Sequence, residues 1–493
     1  MSATSGPKNP FNVEMKKDRR LRLFIQVLMV MGASLGHSAI AIIAAFPNPA
    51  ITDLRKDNTT IYGNAMPLST WQMDLMGSLV AAGTMPGTLL GGWLVAFIGR
   101  RTCMMMLAAP YALSWSLVAF AANPTVMLIG RFLSGICYGV TTVAGSTYII
   151  ELPDLPIRGA LAAIPTIFFG LGLVLTVGCG MVMRWFAIPF VAYAVMLLCC
   201  VIMYFLPESP TYLVVAGKED EAAEILKDLR GPDADIQQEI KSLQDCNGGK
   251  ADEPVWRLLL QRDVVRLLAI SMVLFFIQNF SGLNVMYFNT TRIFLASGST
   301  FDENLATILV FLLKLGGTFV AIYYLDRIGR RVCMILSLSI MAACLFTMGT
   351  YLTMGTYLHI KDNSAEPNAT ISSNASASDL LEQTDAPDSQ EGKTNEYLPL
   401  VCLTVYMFAS CIGAHPVPWI ISTEYFPTII RGQASSLCVM VCSLFNFAVL
   451  QLYTPMQEAL TMAGLYWFYA TVSILGVFFC LVFVNETNQK AVG

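Results

Sequence analysis

Charged side chains recur beside the apolar segments of this sequence, in the same arrangement in its two halves. Gly99-Arg100-Arg101 follows one apolar run, and Gly329-Arg330-Arg331 follows another. A glutamate stands seven residues before an arginine at Glu151–Arg158 and again at Glu424–Arg431. Arginine binds carboxylates through strong, charge-assisted hydrogen bonds. The pattern therefore indicates ion pairs at helix ends, which can act as a gate by forming in one conformation and parting in another.

A second group of residues is polar but lies inside apolar runs. Gln278, Asn279 and Asn284 surround the pair Ser281-Gly282. Amide side chains are costly in lipid but can bind hydroxyl groups in a wet cavity, and glycine permits a helix break whose backbone groups face such a cavity. The alternative is hydrogen bonding between helices, which is common in membrane bundles. Trp419 could present a flat apolar face to a ring-shaped solute. The alternative is that Trp419 only packs against neighbouring helices.

Lys314 lies near the middle of the apolar run Ala306–Tyr324. A lysine at the centre of a membrane helix costs about 2.5–3.5 kcal/mol, so we expect it to face a central cavity. It could pair with a carboxylate of a neighbouring helix, be neutral with a pKa lowered by burial, or stay charged in a wet cavity and attract an anionic or strongly polar solute. His37, in the first apolar run, could exchange a proton or hydrogen-bond a neighbouring helix.

Positioning these residues requires helices that cross a membrane. The 493-residue chain is 55% hydrophobic and 13% charged, whereas soluble domains contain about 25% charged residues. About 20 apolar residues suffice for one crossing. Twelve runs meet that length: Leu21–Ala45, Trp71–Phe97, Thr102–Ala121, Thr125–Ile150, Leu161–Val182, Phe186–Phe205, Val264–Asn289, Ala306–Tyr324, Val332–Met354, Tyr397–Ser422, Gln433–Tyr453 and Gly464–Val484. The expected fold class is an all-α membrane protein.

The repeated charge motifs divide the chain into two six-helix halves. The predicted halves are residues 1–206 and 263–493. The hydrophilic segment between them, 207–262, has apolar residues spaced as in short amphipathic helices. The second half contains a polar loop, 357–396, which is predicted to be disordered.

Basic residues predict the orientation in the membrane. If the N-terminus is cytosolic, 22 of the 30 Lys and Arg residues lie on the cytosolic side and six lie outside, as the positive-inside rule requires. Both termini are then cytosolic, and we expect a multi-pass protein of the plasma membrane. Three glycosylation acceptors, Asn58, Asn368 and Asn374, fall on the outside. Twelve of the 13 cysteines lie in apolar segments, so no disulfide framework is expected.

Six motifs, in order along the chain, resemble those of the sugar porter family of the major facilitator superfamily. They are Gly130-Arg131 with Glu151 to Gly159, Pro207-Glu208-Ser209-Pro210, Gln278 to Asn284, Asp326 to Arg331, Pro416 to Trp419 with Glu424 to Gly432, and Asn485-Glu486-Thr487. The segment Leu161–Thr166 is most similar to that of arthropod facilitated trehalose transporters. The resemblance implies the major facilitator fold and transport of a sugar by alternating access.

The resemblance also assigns roles to residues. It implies gating by Arg100, Arg101, Arg131, Glu151, Arg158, Asp326, Arg327, Arg330, Arg331, Glu424 and Arg431. It implies substrate binding by Gln278, Asn279, Asn284 and Trp419. It also implies substrate binding at Thr166 and Lys314, which stand where the family has a glutamine and an asparagine, respectively. Two positions depart from the gate motif, because Ala96 and Phe97 stand where the second half has Asp326 and Arg327. The first half therefore lacks one gate carboxylate.

Facilitative transport of trehalose or a hexose is the favoured function. A carrier of another small solute, such as an anion, and a non-transporting sugar sensor are the alternatives. The sequence contains no catalytic motif of an enzyme, and we expect no cofactor or metal. The expected partners are a sugar and membrane lipid, and no nucleic acid is expected to bind.

Overall fold

The computed structural model describes residues 19–153, 161, 163–231, 235–248, 255–296, 303–365, 398–426 and 430–484. Within these residues, helices form twelve segments long and apolar enough to cross a membrane, as predicted. We call them spans 1–12. Spans 1–6 are Arg19–Ala45 with Pro47–Lys56, Thr70–Ile98, Arg100–Met106 with Ala108–Ala119, Pro124–Glu151, Ile164–Val182 and Ile188–Phe205. Spans 7–12 are Arg262–Phe280 with Leu283–Ala296, Glu303–Ile328, Arg330–Ala365, Leu398–Ile412 with Pro416–Glu424, Arg431–Gln451 and Tyr453–Phe483.

Successive spans run in opposite directions, which defines two faces of the bundle. We call the face where span 1 begins and span 12 ends the terminal face, and the other the opposite face. The segment that joins the halves lies at the terminal face and forms helices Pro210–Val215, Glu219–Arg230, Ile236–Gly248 and Val255–Leu259. Ala222 and Leu226 are fully buried there, so the predicted amphipathic character is confirmed.

Span 7 is broken at Ser281-Gly282, as the glycine predicts. Gly282 has a backbone φ of +91°, in the left-handed region that L-residues other than glycine rarely adopt. A Cβ atom there would also lie 2.8 Å from Tyr469. Span 10 is interrupted before Pro416, because proline at the first helical position has no N–H to donate to the preceding turn.

Four spans continue beyond their predicted ends. Span 9 reaches Ala365, so its helix includes the first residues of the predicted outside loop. Span 1 continues to Lys56. Spans 7 and 12 also extend, to Ala296 and back to Tyr453, but each has a break in its helix close to the predicted boundary, at Asn289 (φ −123°) and at Thr461 (φ +66°). The added residues include polar ones, which an apolar-run criterion excludes although a helix can continue past the hydrocarbon layer into its polar boundary.

Each half has its own hydrophobic core. One cluster is drawn from spans 1–6 with Leu229, and a second mainly from spans 7–12 with a few residues of spans 1 and 5. Glycines permit close packing within the first half, since a Cβ atom on Gly83 or Gly87 of span 2 would meet backbone of span 4 at 2.2 or 2.4 Å. The halves meet through spans 2 and 11, spans 5 and 8, and spans 1 and 7.

Candidate functional site

A cavity lies between the two halves, near the middle of the spans. Its volume is about 90 Å³, which is room for about three water molecules and too small for a sugar. The halves must therefore separate further for a sugar to enter. The lining residues are Ala44, Val80, Ala81, Thr84, Thr88, Tyr138, Thr142 and Phe169 from the first half, and Gln278, Asn284, Tyr287, Phe288, His415, Trp419, Val439, Cys442, Ser443 and Asn446 from the second.

The amides next to the break in span 7 are held in place by hydrogen bonds. Gln278 Nε2 donates to the carbonyl oxygen of His415 at 2.9 Å, and Asn284 Nδ2 donates to Asn279 Oδ1 at 2.6 Å. Asn279 Nδ2 in turn donates to the Phe275 carbonyl at 2.8 Å. Gln278 and Asn284 line the cavity, whereas Asn279 is fully buried behind them. Asn279 therefore orients Asn284 rather than facing the cavity.

The other predicted binding residues differ in their positions. Trp419 lines the cavity and packs edge-on against Phe275, with ring centroids 5.3 Å apart. Thr166 is not among the lining residues; it lies in the first turn of span 5, and the cavity residue of that span is Phe169.

Lys314 is one layer behind the cavity wall. Its side chain is buried, and its ammonium lies 4.8 Å from the ring centroid of Tyr287 and 5.1 Å from that of Phe169. Both rings line the cavity, but Lys314 does not. A cation over two aromatic faces is stabilised by the ring quadrupoles. Any influence of Lys314 on a bound solute therefore passes through these rings.

Asn446 of span 11 was not identified from the sequence. It lines the cavity, and its Oδ1 atom is buried without a hydrogen-bond partner among the described residues. Buried polar atoms are nearly always hydrogen-bonded, so unpartnered ones beside a cavity indicate a ligand or water. The available signal in the sequence was an asparagine one helical turn beyond Cys442 and Ser443, in the mostly apolar second half of the helix.

Arg131 is completely buried between spans 1, 2 and 4. Its guanidinium donates to the carbonyl oxygens of Met76 and Ile43 at 2.9 and 2.8 Å, and lies 5.2 Å from the ring centroid of Phe46. Its Nη1 has no hydrogen-bond partner within the described chain. The sequence assigned Arg131 to the gate, but the structure places it inside the first half, anchored to backbone.

At the terminal face, Arg100 and Glu151 form the predicted kind of ion pair. Arg100 Nη2 lies 2.8 Å from Glu151 Oε1, with side chains 14% and 17% exposed. Ser209 donates to the other carboxylate oxygen of Glu151. Arg101 donates to the carbonyl oxygens of Met203 and Tyr204. All these contacts lie within the first half and its following segment, so they brace its terminal face.

Glu208 is a further charged residue of this cluster. Its Oε1 accepts the backbone N–H groups of Arg100 and Arg101, each at 2.9 Å, and Oε2 accepts that of Thr102 at 3.3 Å. These N–H groups begin the helix of span 3, where a negative charge is favourable. Gly99, with φ +92°, leaves room for this carboxylate, because a Cβ atom would lie 2.6 Å from Oε2.

The second half offers fewer described contacts of this kind. Arg331 donates to the carbonyl oxygens of Cys480 and Leu481, and the Arg327 guanidinium lies 4.1 Å from the ring centroid of Tyr323. Arg330 begins the helix of span 9. The side chains of Asp326, Glu424 and Arg431, and the residues Arg158, Asn368 and Asn374, lie outside the described part. Asn58 is exposed at the opposite face.

Comparison with known proteins assigns the chain to a family. A family model described as "Sugar (and other) transporter" matches residues 25–492. The chain belongs to this family. It is therefore a multi-pass membrane protein of a transporter family, not an enzyme.

Curated relatives and solved structures agree with this assignment. The facilitated trehalose transporter Tret1-1 of Drosophila sechellia and trehalose transporter 1 of Drosophila melanogaster are each 30% identical over 95% of the chain. The chain spans about half the length, 51%, of both relatives. A partially occluded, inward-open structure of the xylose transporter XylE from E. coli superimposes with a TM-score of 0.73, at 21% identity, covering 95% of this chain and all of that one. The fold is the major facilitator fold.

Proposed function

We propose that this protein carries a neutral sugar, trehalose or a hexose, across the plasma membrane by alternating access. The observation that supports this is the chemistry of the cavity wall. Its described lining contains amides, hydroxyls and aromatic rings, but no Asp, Glu, Lys or Arg. The relatives named as trehalose transporters are consistent with such a solute.

The cavity wall suits a sugar because each type of lining side chain can interact with a different part of the sugar. The amides of Gln278, Asn284 and Asn446 can donate to and accept from sugar hydroxyls. Trp419 offers an apolar face to the hydrogen-bearing side of the ring. A solute that satisfies the buried Oδ1 of Asn446 also removes the unfavourable free energy of an unpartnered polar atom.

Transport is proposed to be facilitative. Coupling to protons needs a group that changes its charge in step with the cycle. Arg131, the buried cation of the first half, is held by backbone carbonyls and a ring, and the described cavity wall has no carboxylate. Sugar uptake should therefore reach the same plateau with and without a protonophore. Loss of accumulation with the protonophore would indicate coupling, with His415 of the cavity wall as the group to substitute next.

The terminal face is proposed to be cytosolic, with residues 1–206 and 263–493 as the two halves that move. The basic-residue bias, 22 of 30 on that side, supports this orientation. A protease added outside intact cells should leave residues 207–262 uncut and a tag at the N-terminus protected. Cleavage of that segment would reverse the orientation.

The decisive test is uptake of radiolabelled trehalose, glucose, xylose and an organic anion by cells expressing the chain. Trehalose or a hexose should enter, and Asn446→Ala should raise KM for that sugar by about three- to tenfold, the equivalent of one hydrogen bond. The matched control is Thr347→Ala, which removes a hydroxyl from an exposed site bonded only within its own helix. Uptake of the anion alone, or of none of the four, would contradict the proposal and favour another solute or a sensor.

A further inference from the structure

A buried ion pair connects the two halves at the opposite face. Arg292 Nη1 of span 7 lies 2.8 Å from Asp74 Oδ1 of span 2, and the side chains are 11% and 1% exposed. Spans 2 and 7 belong to different halves. A buried ion pair is weak evidence for stability, so a pair that bridges two moving parts requires an explanation beyond folding.

The two partners are held very differently. Arg292 also donates to Asn289 Oδ1 at 3.1 Å and Thr454 Oγ1 at 3.4 Å, and its guanidinium lies 5.3 Å from the Tyr453 ring centroid. All three belong to the second half. Asp74 Oδ2, by contrast, has no partner within the described chain. Separation of the halves therefore leaves Arg292 anchored and removes Asp74 alone from the contact.

Further hydrogen bonds between the halves lie at the same level. Ser78 Oγ of span 2 donates to Gln451 Oε1 of span 11 at 2.6 Å. Asn48 Nδ2 donates to the carbonyl of Tyr287 at 2.9 Å, and Asn48 Oδ1 accepts the N–H of Thr291 at 3.2 Å. Asn48 thus links the end of span 1 to span 7.

These contacts separate the cavity from the opposite face. Along span 2, Asp74 and Ser78 precede Val80, the first cavity residue of that span. Asp74 lies about 9 Å from Val80 along the helix axis at 1.5 Å per residue. Along span 11, Gln451 follows Asn446 toward the same face. The cavity must break these contacts before it can open to the opposite face.

We propose that the Asp74–Arg292 pair is the lock of the opposite-face gate. It forms when the cavity is closed to that face and breaks when the cavity opens there. Its strength sets the balance between the two conformations. This inference rests on the proposed alternating-access transport, but its test requires no substrate.

Cys442 provides a native reporter, because its thiol lines the cavity and is buried in this conformation. Intact cells expressing the full chain are treated from outside with a membrane-impermeant thiol reagent. Modification of the Cys442 peptide is followed by mass spectrometry on the surface-biotinylated protein. Cys442→Ser gives the background signal.

Asp74→Asn should speed labelling of Cys442 by tenfold or more. It leaves Arg292 buried without a counter-charge in the closed state, and tenfold corresponds to only about 1.4 kcal/mol, less than breaking a buried pair usually requires. Arg292→Gln should act in the same direction. The double variant Asp74→Asn/Arg292→Gln should label more slowly than either single one, because no uncompensated charge is left.

Arg184→Gln is the matched control. Arg184 pairs with Asp53 and Asp57 at 2.9 and 2.6 Å on the same face, but all three belong to the first half. Its substitution should leave labelling unchanged. Equal labelling of wild type and both single variants, or a double variant whose effects simply add, would overturn the lock. Faster labelling together with no uptake of any sugar would retain the lock and reject the sugar assignment.

Discussion

Replacing Lys314 by methionine tests how the cavity wall is built. Methionine has a similar length and no charge, and it should remove two cation–π contacts, at 4.8 and 5.1 Å, worth up to about 2 kcal/mol each when desolvated. It should also remove the cost of a lysine at mid-membrane, about 2.5–3.5 kcal/mol. The two contributions oppose each other, so we expect a net change in stability below about 2 kcal/mol.

The same variant distinguishes a residue in the wall from one behind it. Because Lys314 does not line the cavity, Lys314→Met should change KM for the transported sugar by less than about threefold. Asn284→Ala, which removes a lining amide, should raise KM by about five- to tenfold. The assays are initial-rate uptake at normalised surface expression and thermal unfolding in detergent.

Three results would refute this reasoning. A tenfold or larger rise in KM for Lys314→Met, with normal surface expression, would mean that the ammonium contacts the solute. A marked fall in melting temperature would mean that the aromatic contacts outweigh the cost of burying the charge. Uptake of an organic anion that Lys314→Met abolishes would also contradict a neutral-sugar cavity.

The other predictions concern the terminal face, the break in span 7 and the polar loop. Glu208→Gln should lower stability by about 1–2 kcal/mol, because the start of span 3 loses a charged cap; an unchanged melting temperature would contradict this. Gly282→Ala should slow uptake severely, since it combines φ +91° with a Cβ only 2.8 Å from Tyr469, whereas Gly316→Ala in span 8, which meets nothing within 4 Å, should not. Asn368→Gln and Asn374→Gln should each remove one glycan, visible as increased gel mobility; unchanged mobility in both would contradict outside exposure of that loop.

Features set by local sequence were predictable. The twelve spans follow from runs of apolar residues, and the break in span 7 follows from one glycine among polar neighbours. Helix ends were less predictable, because polar residues such as those before Ala365 give no local signal that the helix continues. The amphipathic helices of the joining segment were also predictable, because the spacing of their apolar residues is a local feature of the sequence.

Features set by distant contacts were not predictable. Arg292 lies beyond Asn289, the predicted end of span 7, yet its side chain is only 11% exposed, because Asp74 neutralises it from 218 residues away. The role of Asn279 was also hidden, since neighbouring amides look alike until their hydrogen bonds are known. Asn446 could have been noticed as a polar residue within an apolar span.

The cap that Glu208 places on span 3 has a consequence for how the protein is made. During synthesis, the backbone N–H groups of Arg100 and Arg101 have no hydrogen bond to Glu208 until that residue is made, 108 residues after Arg100. At ribosomal rates of about 5–20 residues per second, the delay is about 5–20 s. During that time the turn between spans 2 and 3 is already synthesised but incomplete. Maturation of the first hairpin is therefore tied to the emergence of span 6, and substitutions at Glu208 should expose the nascent first half to quality-control degradation.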